Sequence, residues 1–240
     1  RRVLAPGGAW MTLSSKAEVV YRKPWPKEMD QWTHGYHDAS CDAVSDDTLV
    51  GPPRRLQWSG GPAWSKSHNR AEAAYSAIVS ANGRLFSIED ETLGSLYNVR
   101  ARWHLIARDA FNGVELWRRA MPDWVVQTWG QQRNSHALER LVAVGDHVYV
   151  PLNRGESVSV LNAATGEVLR PLPGPTDPRE LIVEEGVPIA ANKNEVIALD
   201  CVTGRKLWQR GPGATLAARG EHVALIDDEK NALVCLDRTT

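Results

Sequence analysis

Two histidines three residues apart, His34 and His37, are the residues of this sequence best suited to chemistry, and Asp38 follows them directly. Imidazole nitrogens and carboxylate oxygens are common ligands of divalent metals. With His68 further along the chain, they form a candidate metal site if the backbone brings them together. The alternative is structural, because side chains in an irregular segment often bond backbone groups that have no ladder partner. The spacing alone favours this structural role.

A second group of carboxylates, Glu89, Asp90 and Glu91, follows Ile88 at the expected end of a strand. Carboxylates at strand ends could face a central channel, but we favour a solvated loop. The sequence contains no serine-nucleophile elbow, phosphate-binding loop or H-E-x-x-H motif. These residues therefore do not by themselves predict an enzyme.

The composition excludes several classes of function. The 240 residues carry a net charge of −1, so no basic field indicates a nucleic acid or an acidic membrane as partner. No apolar run is long enough to span a bilayer. The three cysteines, Cys41, Cys201 and Cys235, form no C-x-x-C pattern, and we expect them to be unpaired. Ten tryptophans against two phenylalanines indicate a repeated packing role.

The elements that would position these residues are repeats. An Asp or Asn is followed four positions later by Gly, and in two copies a Trp comes four positions after the Gly. The Asp or Asn side chain can hold a tight turn and Gly can adopt a positive φ, so each copy predicts a hairpin. The copies comprise Asp109, Gly113 and Trp117; Asn162 and Gly166; Asp200, Gly204 and Trp208; and a truncated copy at Asp237.

The spacing of the copies supports a regular array. Asn162 and Asp200 are 38 positions apart, and Asp200 and Asp237 are 37 apart. The first interval, from Asp109 to Asn162, is 53 positions, and we assign the excess to an insertion between Met121 and Leu138. A further hairpin turn precedes each copy, at Asn82-Gly83, Gly145-Asp146, Gly186 and Gly220.

Two hairpins per period of about 40 residues make a four-stranded antiparallel unit, the size of a propeller blade. We therefore predict an all-β fold, a partial β-propeller of about four such blades over residues 71–240. Residues 23–70, rich in Trp, His and Pro, form an irregular lead-in. A β-solenoid and a β-sandwich are the alternative folds.

The pattern A-x-D-x-x-x-G-x-x-x-W, complete at residues 107–117 and 198–208, resembles the tryptophan-docking motif of quinoprotein alcohol dehydrogenase-like propellers. In that family the Trp packs between blades, so the resemblance implies that Trp117 and Trp208 are buried there. We expect Trp124 and Trp129, in the insertion, to contribute much less to stability. The lead-in resembles that of planctomycete-type PQQ-repeat proteins, which would make Leu56–Trp58 the first propeller strand.

A weaker resemblance concerns residues 1–20. Their R-V-L-x-P-G-G run followed by an apolar strand is similar to the end of class I S-adenosylmethionine methyltransferases. It implies that residues 1–22 are the tail of a preceding, methyltransferase-like domain.

The resemblances specify a fold but not an activity. Our leading hypothesis is a binding platform in a larger, extracytoplasmic or periplasmic bacterial protein. The alternatives are a PQQ-dependent oxidoreductase acting on alcohols or sugars and an accessory domain of a methyltransferase. We expect no cofactor in this chain. The resemblance to quinoprotein alcohol dehydrogenases implies a quinone site that needs most blades, an adjacent cysteine pair and a Ca²⁺ cage, so PQQ with Ca²⁺ would belong to the intact enzyme. The expected partners are the rest of the propeller, other proteins or a small ligand.

Overall fold

The computed structural model describes residues 4–13, 17–49, 51, 54–61, 75–92, 101–124, 138–227 and 229–239. Its regular structure is almost entirely β-strand, with one 3-10 turn at Leu138–Arg140. The strands are β1 (Ala9–Leu13), β2 (Ala17–Arg22), β3 (Tyr75–Ala81), β4 (Arg84–Asp90), β5 (Trp103–Asp109), β6 (Glu115–Ala120), β7 (Val142–Val144), β8 (His147–Pro151), β9 (Val158–Asn162), β10 (Val168–Pro171), β11 (Glu180–Glu184), β12 (Val187–Ala191), β13 (Val196–Leu199), β14 (Lys206–Arg210), β15 (Gly213–Arg219), β16 (His222–Asp227) and β17 (Ala232–Asp237).

After an N-terminal hairpin of β1 and β2, consecutive strands form four antiparallel sheets, which we call blades 1 to 4. Blade 1 is β3–β6, blade 2 is β7–β10, blade 3 is β11–β14, and blade 4 is β15–β17 in the described part of the chain. The first strands of successive blades contact one another: β3 with β7, β7 with β11, and β11 with β15. The first strands therefore line the inside of an arc. This confirms the prediction of an all-β, partial β-propeller.

The hydrophobic core lies between the blades. Because side chains alternate across a strand, each blade has one face toward the preceding blade, its leading face, and one toward the following blade, its trailing face. Burial of each large apolar side chain contributes about 1.5–3 kcal/mol, so most of the stability resides in these junctions. Three clusters fill them: Phe86 and Leu105 with Val148 and Leu161, Val160 with Ile197 and Leu199, and Ile189 with Val223 and Leu225.

Two sequence-based expectations about blade 1 are wrong. Leu56–Trp58 is not a strand: residues 54–61 contain no regular secondary structure. Glu89 and Asp90 do not lie in a solvated loop, because β4 continues to Asp90 by pairing with Trp103, and the two side chains are only 1% and 2% exposed.

The expectation that Trp124 contributes little to stability is also wrong. Its side chain is 2% exposed and belongs to the cluster between blades 1 and 2. The indole N–H donates to Ser76 Oγ at 2.9 Å, and the guanidinium of Arg140 lies 5.3 Å from the ring centre. The chain turns back at Met121–Trp124, which brings this ring into the junction between blades 1 and 2. Trp129 lies outside the described residues.

The N-terminal hairpin is tied to the lead-in by two backbone hydrogen bonds, from Lys23 N to Gly8 O and from Gly7 N to Lys23 O. The ring of Trp25 lies 6.1 Å from that of Phe111, which links the start of the lead-in to blade 1. The domain boundary at residue 22 stays a prediction. Within the described residues, no helix is long and apolar enough to cross a membrane.

Candidate functional site

A segment of the lead-in, residues 30–43, runs across the first strands of all four blades, and we call it the strap. Acceptor atoms of the strap take one backbone N–H from each blade in turn. The bonds are Ser80 N to Trp32 O (2.6 Å), Ala143 N to Thr33 O (2.9 Å), Val183 N to His34 Nε2 (3.0 Å) and Ala218 N to Ala39 O (2.7 Å).

These four amides occupy the same position in every blade. Each belongs to a first-strand residue that pairs with the residue five positions further on, as Ser80 pairs with Leu85 and Ala218 with Val223. A first strand has a neighbour on one side only, and a buried backbone N–H left unpaired on its other side is costly. The strap satisfies these donors, and it thereby bridges the whole arc.

His34 is built into this arrangement as a neutral acceptor. Its side chain is 3% exposed, its Nε2 accepts the Val183 amide, and its Nδ1 lies 2.8 Å from Thr33 Oγ1. Burial lowers the pKa of His34 to about 4, against an opposing effect of the Asp38 charge. A neutral ring with Nδ1 protonated satisfies both contacts.

The surroundings of His37 shift its pKa in the opposite direction. Its Nε2 lies 2.7 Å from Asp30 Oδ2 and its Nδ1 lies 3.2 Å from Asp42 Oδ1. Burial alone would lower the pKa of His37, but the hydrogen bonds to Asp30 and Asp42 and the charges of Asp30 and Asp38 outweigh it and raise the pKa. The two carboxylates therefore favour the protonated form of this ring.

The structure brings together only part of the predicted metal site. Donor atoms of His37, Asp38 and Asp42 lie within 4.8 Å of one another. Both nitrogens of His37 already contact carboxylates, and Asp38 Oδ1 accepts bonds from the N–H and hydroxyl of Ser40. The ring of His34 is not part of this group, and His68 lies outside the described residues. Metal binding stays a prediction.

Asp30 and Asp42 are not recognisable in the sequence as partners of His37. The carboxylates lie seven positions before and five positions after the histidine, in a segment with no periodicity that would relate them. Their convergence requires left-handed backbone at His37 (φ +80°), Cys41 (φ +55°) and Ala43 (φ +56°), a conformation that non-glycine residues seldom adopt. No propensity rule predicts such a conformation at these residues.

The blades themselves are fastened on their outer side by tryptophans. Each indole N–H donates to the carbonyl of the residue that follows a turn Asp or Asn, in the next blade of the array. The bonds are Trp58 Nε1 to Ala110 O (3.0 Å), Trp117 Nε1 to Ala163 O (3.0 Å) and Trp208 Nε1 to Arg238 O (2.8 Å).

Glycine is required beneath two of these rings. A Cβ added at Gly113 would lie 2.5 Å from the ring of Trp58, and one added at Gly166 would lie 2.6 Å from the ring of Trp117. Blade 2 has Arg170 at the position of the tryptophan, and the corresponding glycine, Gly204, has only Pro173 nearby, at 3.4 Å.

The turn residues sit where the repeat places them. Each Asp or Asn side chain accepts hydrogen bonds from the backbone N–H groups that follow it, and the carbonyl of the same residue accepts the glycine N–H in the three complete copies. The side-chain acceptors are Asp109 for Phe111 and Asn112, Asn162 for Ala164 and Thr165, Asp200 for Val202 and Thr203, and Asp237 for Thr239. These residues hold turns, which leaves them no evident chemical role.

Blade 1 carries a buried polar group on its leading face. Glu89 accepts a hydrogen bond from Ser87 Oγ, and its other oxygen lies 3.5 Å from Nη2 of Arg108. Burial raises the pKa of Glu89, although Ser87 and Arg108 oppose the shift. All three side chains are at most 9% exposed.

A family model described as outer membrane protein assembly factor BamB matches residues 54–211, about two thirds of the chain. No curated protein matches the chain. Among solved structures, a europium-containing methanol dehydrogenase aligns with a TM-score of 0.47 and 14% identity, over 76% of this chain and 32% of that one.

Two further structures align over a similar range. BamB from Moraxella catarrhalis gives a TM-score of 0.37 and 14% identity, over 70% of this chain and 56% of that one. A quinohemoprotein alcohol dehydrogenase from Comamonas testosteroni gives 0.38 and 12% identity, over 68% of this chain and 34% of that one. The chain thus spans between about a third and just over half of the length of these proteins.

Proposed function

The chain belongs to the family of the outer membrane protein assembly factor BamB, and we propose that its PQQ-like propeller is a binding platform for other proteins, in a larger bacterial protein of an extracytoplasmic compartment. This proposal rests on the position of the strap. Three of its backbone carbonyls and the ring of His34 occupy the inner-strand edges that face the axis of the arc.

The groups at the strap do not fit a quinone with Ca²⁺. Four inner-strand amides are already bonded to the strap, and the ring nitrogens of His34 and His37 are engaged by Val183, Thr33 and two carboxylates. A quinone placed there would have to displace them. This supports a platform over the alternative of a PQQ-dependent oxidoreductase.

The outer strands offer surfaces that suit a protein partner. Leu116 on β6 and Leu169 on β10 are 44% and 43% exposed, and Val202, in the turn before β14, is 76% exposed. A non-obligate protein interface is about as apolar as the rest of a protein surface, so exposed aliphatic side chains among polar ones are compatible with such an interface.

The test has two arms. A photo-crosslinking residue at Leu116 or Leu169 should give discrete adducts with a partner protein. Once identified and purified, that protein should bind the chain saturably. The same crosslinking residue at the exposed Glu28, on the lead-in, should give no such adducts. The second arm incubates the chain with PQQ and Ca²⁺ and follows dye-linked oxidation of alcohols. Dye reduction that saturates with PQQ would contradict the platform and favour the oxidoreductase. The accessory role to a methyltransferase stays a prediction.

A further inference from the structure

The strap carries a group of three donor atoms that differs from the metal site suggested by the sequence. One imidazole nitrogen of His37 and one carboxylate oxygen each of Asp38 and Asp42 lie within 4.8 Å of one another, and Asp42 takes the place of His34. One nitrogen and two oxygens are a ligand set of borderline divalent cations such as Zn²⁺. Two exposed carboxylates alone would not indicate a ligand, so the position and the protonation of the imidazole are decisive.

Asp30 determines which nitrogen of this imidazole carries the proton. Asp30 Oδ2 lies 2.7 Å from His37 Nε2, and it also accepts the Ser45 hydroxyl at 2.9 Å and the Asp46 N–H at 3.0 Å. This carboxylate is therefore fixed as an acceptor, and the proton of the neutral ring lies on Nε2. A carboxylate in this position is the usual outer partner of a ligating histidine, because it orients the ring and makes the other nitrogen a stronger ligand.

With the proton on Nε2, the lone pair of Nδ1 faces acceptors only. Asp42 Oδ1 lies 3.2 Å from His37 Nδ1, and Asp38 Oδ1 lies 3.9 Å from it. The His37 side chain is 2% exposed, so solvent offers this nitrogen little relief. A second proton on the ring would bond Asp42 and leave Asp38 beyond hydrogen-bonding distance. A metal ion in the same place would bind all three atoms at once.

The spacing of the donor atoms fits such an ion. Zn–N and Zn–O bonds of about 2.0–2.1 Å in a tetrahedron place neighbouring ligand atoms about 3.3–3.4 Å apart. The distances of 3.2 Å and 3.9 Å from Nδ1 to the two carboxylates lie on either side of this value. The Asp38 and Asp42 side chains are 40% and 42% exposed, which leaves room for water as a further ligand.

The charge of the group also favours a cation. In the described part of the chain, His37 is the only basic side chain within 4.0 Å of the carboxylates of Asp30, Asp38 and Asp42. Three carboxylates around one imidazolium leave an excess of two negative charges. A divalent ion that replaces the proton on Nδ1 neutralises more of this charge than the proton does.

Carboxylates of other elements extend the negative field. Cys41 lies in the strap between the two aspartate ligands, and its pKa is raised to about 11, first by burial and then by neighbouring carboxylates. Among these are Glu139, on the 3-10 turn, and Glu180, on β11. A field of one sign raises the local concentration of ions of the opposite sign.

We propose that His37 Nδ1, Asp38 Oδ1 and Asp42 Oδ1 bind one divalent transition-metal ion, with Zn²⁺ as its representative, and that Asp30 orients the ring from outside the site. Ca²⁺ fits less well, because it takes about six to eight ligands, all of them oxygen. All four residues belong to the strap. The ion therefore stabilises the segment that bridges the arc, and its binding stabilises the folded chain.

The first measurement is a calorimetric titration of the 240-residue chain with ZnCl₂ at neutral pH. We expect one site with a Kd of about 100 µM or tighter. Asp38→Asn and Asp42→Asn should each weaken binding tenfold or more, and both changes are at partly exposed side chains, so the fold is retained. Glu28→Gln removes an exposed carboxylate elsewhere in the lead-in and should bind Zn²⁺ as the wild type does.

The second measurement identifies the ligand atom in the wild-type chain and needs no variant that could unfold. In ¹⁵N-histidine-labelled protein, Zn²⁺ should move the Nδ1 resonance of His37 to the metal-bound range and leave Nε2 protonated. His222→Gln, at an exposed histidine, should not change the titration. A Kd weaker than about 100 µM, less than a tenfold change in either aspartate variant, tighter binding of Ca²⁺ than of Zn²⁺, or an Nδ1 of His37 that does not respond would each overturn the proposal.

Discussion

At the scale of single residues, the tryptophans show how one side chain joins two blades. Trp208 is 5% exposed and its indole N–H bonds to the carbonyl of Arg238 in blade 4. Trp208→Ala should lower the free energy of unfolding by about 3–5 kcal/mol because it empties a packed site. Trp208→Phe keeps much of the volume and loses the hydrogen bond, so it should cost less. Urea denaturation measures both, and Trp10→Ala, at a 51% exposed position of β1, is the control.

Trp124 should respond as Trp208 does, in contrast to the expectation from its place in the insertion. The side chain is buried and bonded to Ser76, so Trp124→Ala should also cost about 3–5 kcal/mol. A cost close to that of Trp10→Ala in the same denaturation series would contradict the burial of this ring.

His34 should make the protein sensitive to acid. Its pKa is lowered from 6.5 to about 4 by burial, so below pH 6.5 the unfolded chain takes up a proton that the folded chain does not. Stability should fall by about 3 kcal/mol as the pH drops from 6.5 to 4. His34→Gln should flatten this part of the profile, and the exposed His222→Gln should keep it. An unchanged slope in His34→Gln would show that other groups cause the acid sensitivity.

His37 has the opposite effect on the pH dependence of folding stability. Its raised pKa means that its stabilising charge is fully present below pH 6.5 and is lost as the pH rises through the folded-state value. The two histidines of the strap together place the greatest stability of this segment close to neutrality.

At the scale of the elements, two turn glycines, Gly155 and Gly166, separate the energetic cost of a left-handed backbone from that of a clash with a tryptophan ring. Gly166 and Gly155 have nearly the same φ, +72° and +77°, but a Cβ at Gly166 would lie 2.6 Å from Trp117 whereas one at Gly155 would meet nothing within 4 Å. Gly155→Ala should therefore cost only the strain of a left-handed alanine, about 1 kcal/mol. Gly166→Ala should cost at least 1–3 kcal/mol more because the ring must move. Equal losses in thermal or urea unfolding would contradict the stacking of Trp117.

The blades could be predicted from the sequence because their signals are local. The Asp-to-Gly turns, the alternating strands and the spacing of 37 and 38 residues each depend on neighbours in the chain. Trp58 carries no such signal, because Val50 and Arg54 stand where the repeat would have Asp and Gly. Its partner glycine, Gly113, is 55 positions away, and none of the described strands forms a blade with it.

The strap could not be predicted in the same way. Its contacts to Ser80, Ala143, Val183 and Ala218 are between backbone groups, apart from the ring of His34, and backbone groups leave no pattern in the side-chain sequence. The sequence identified His34 and His37 as unusual. Only the fold reveals that burial disfavours the charged form of His34, whereas neighbouring carboxylates favour the charged form of His37.

At the scale of the whole molecule, the strap should change how the array unfolds. Repeats that contact only their neighbours unfold with limited cooperativity, because each junction can open alone. The strap bonds all four first strands, so opening one junction also strains the others. We therefore expect one transition in urea for the wild-type chain, with coincident changes in tryptophan fluorescence and far-UV circular dichroism.

Gly35→Ala tests this coupling directly. A Cβ at Gly35 would lie 2.5 Å from the backbone oxygen of Leu138, a contact that only displacement of the strap can relieve, whereas a Cβ at Gly51 meets nothing within 4 Å. Gly35→Ala should speed hydrogen exchange at the Ala143 and Val183 amides and split or broaden the transition, with a lower apparent m-value. Gly51→Ala should do neither. If Gly35→Ala shifts the midpoint but keeps a single transition of the same slope, the blades are coupled by their aliphatic junctions alone, and the strap only adds stability.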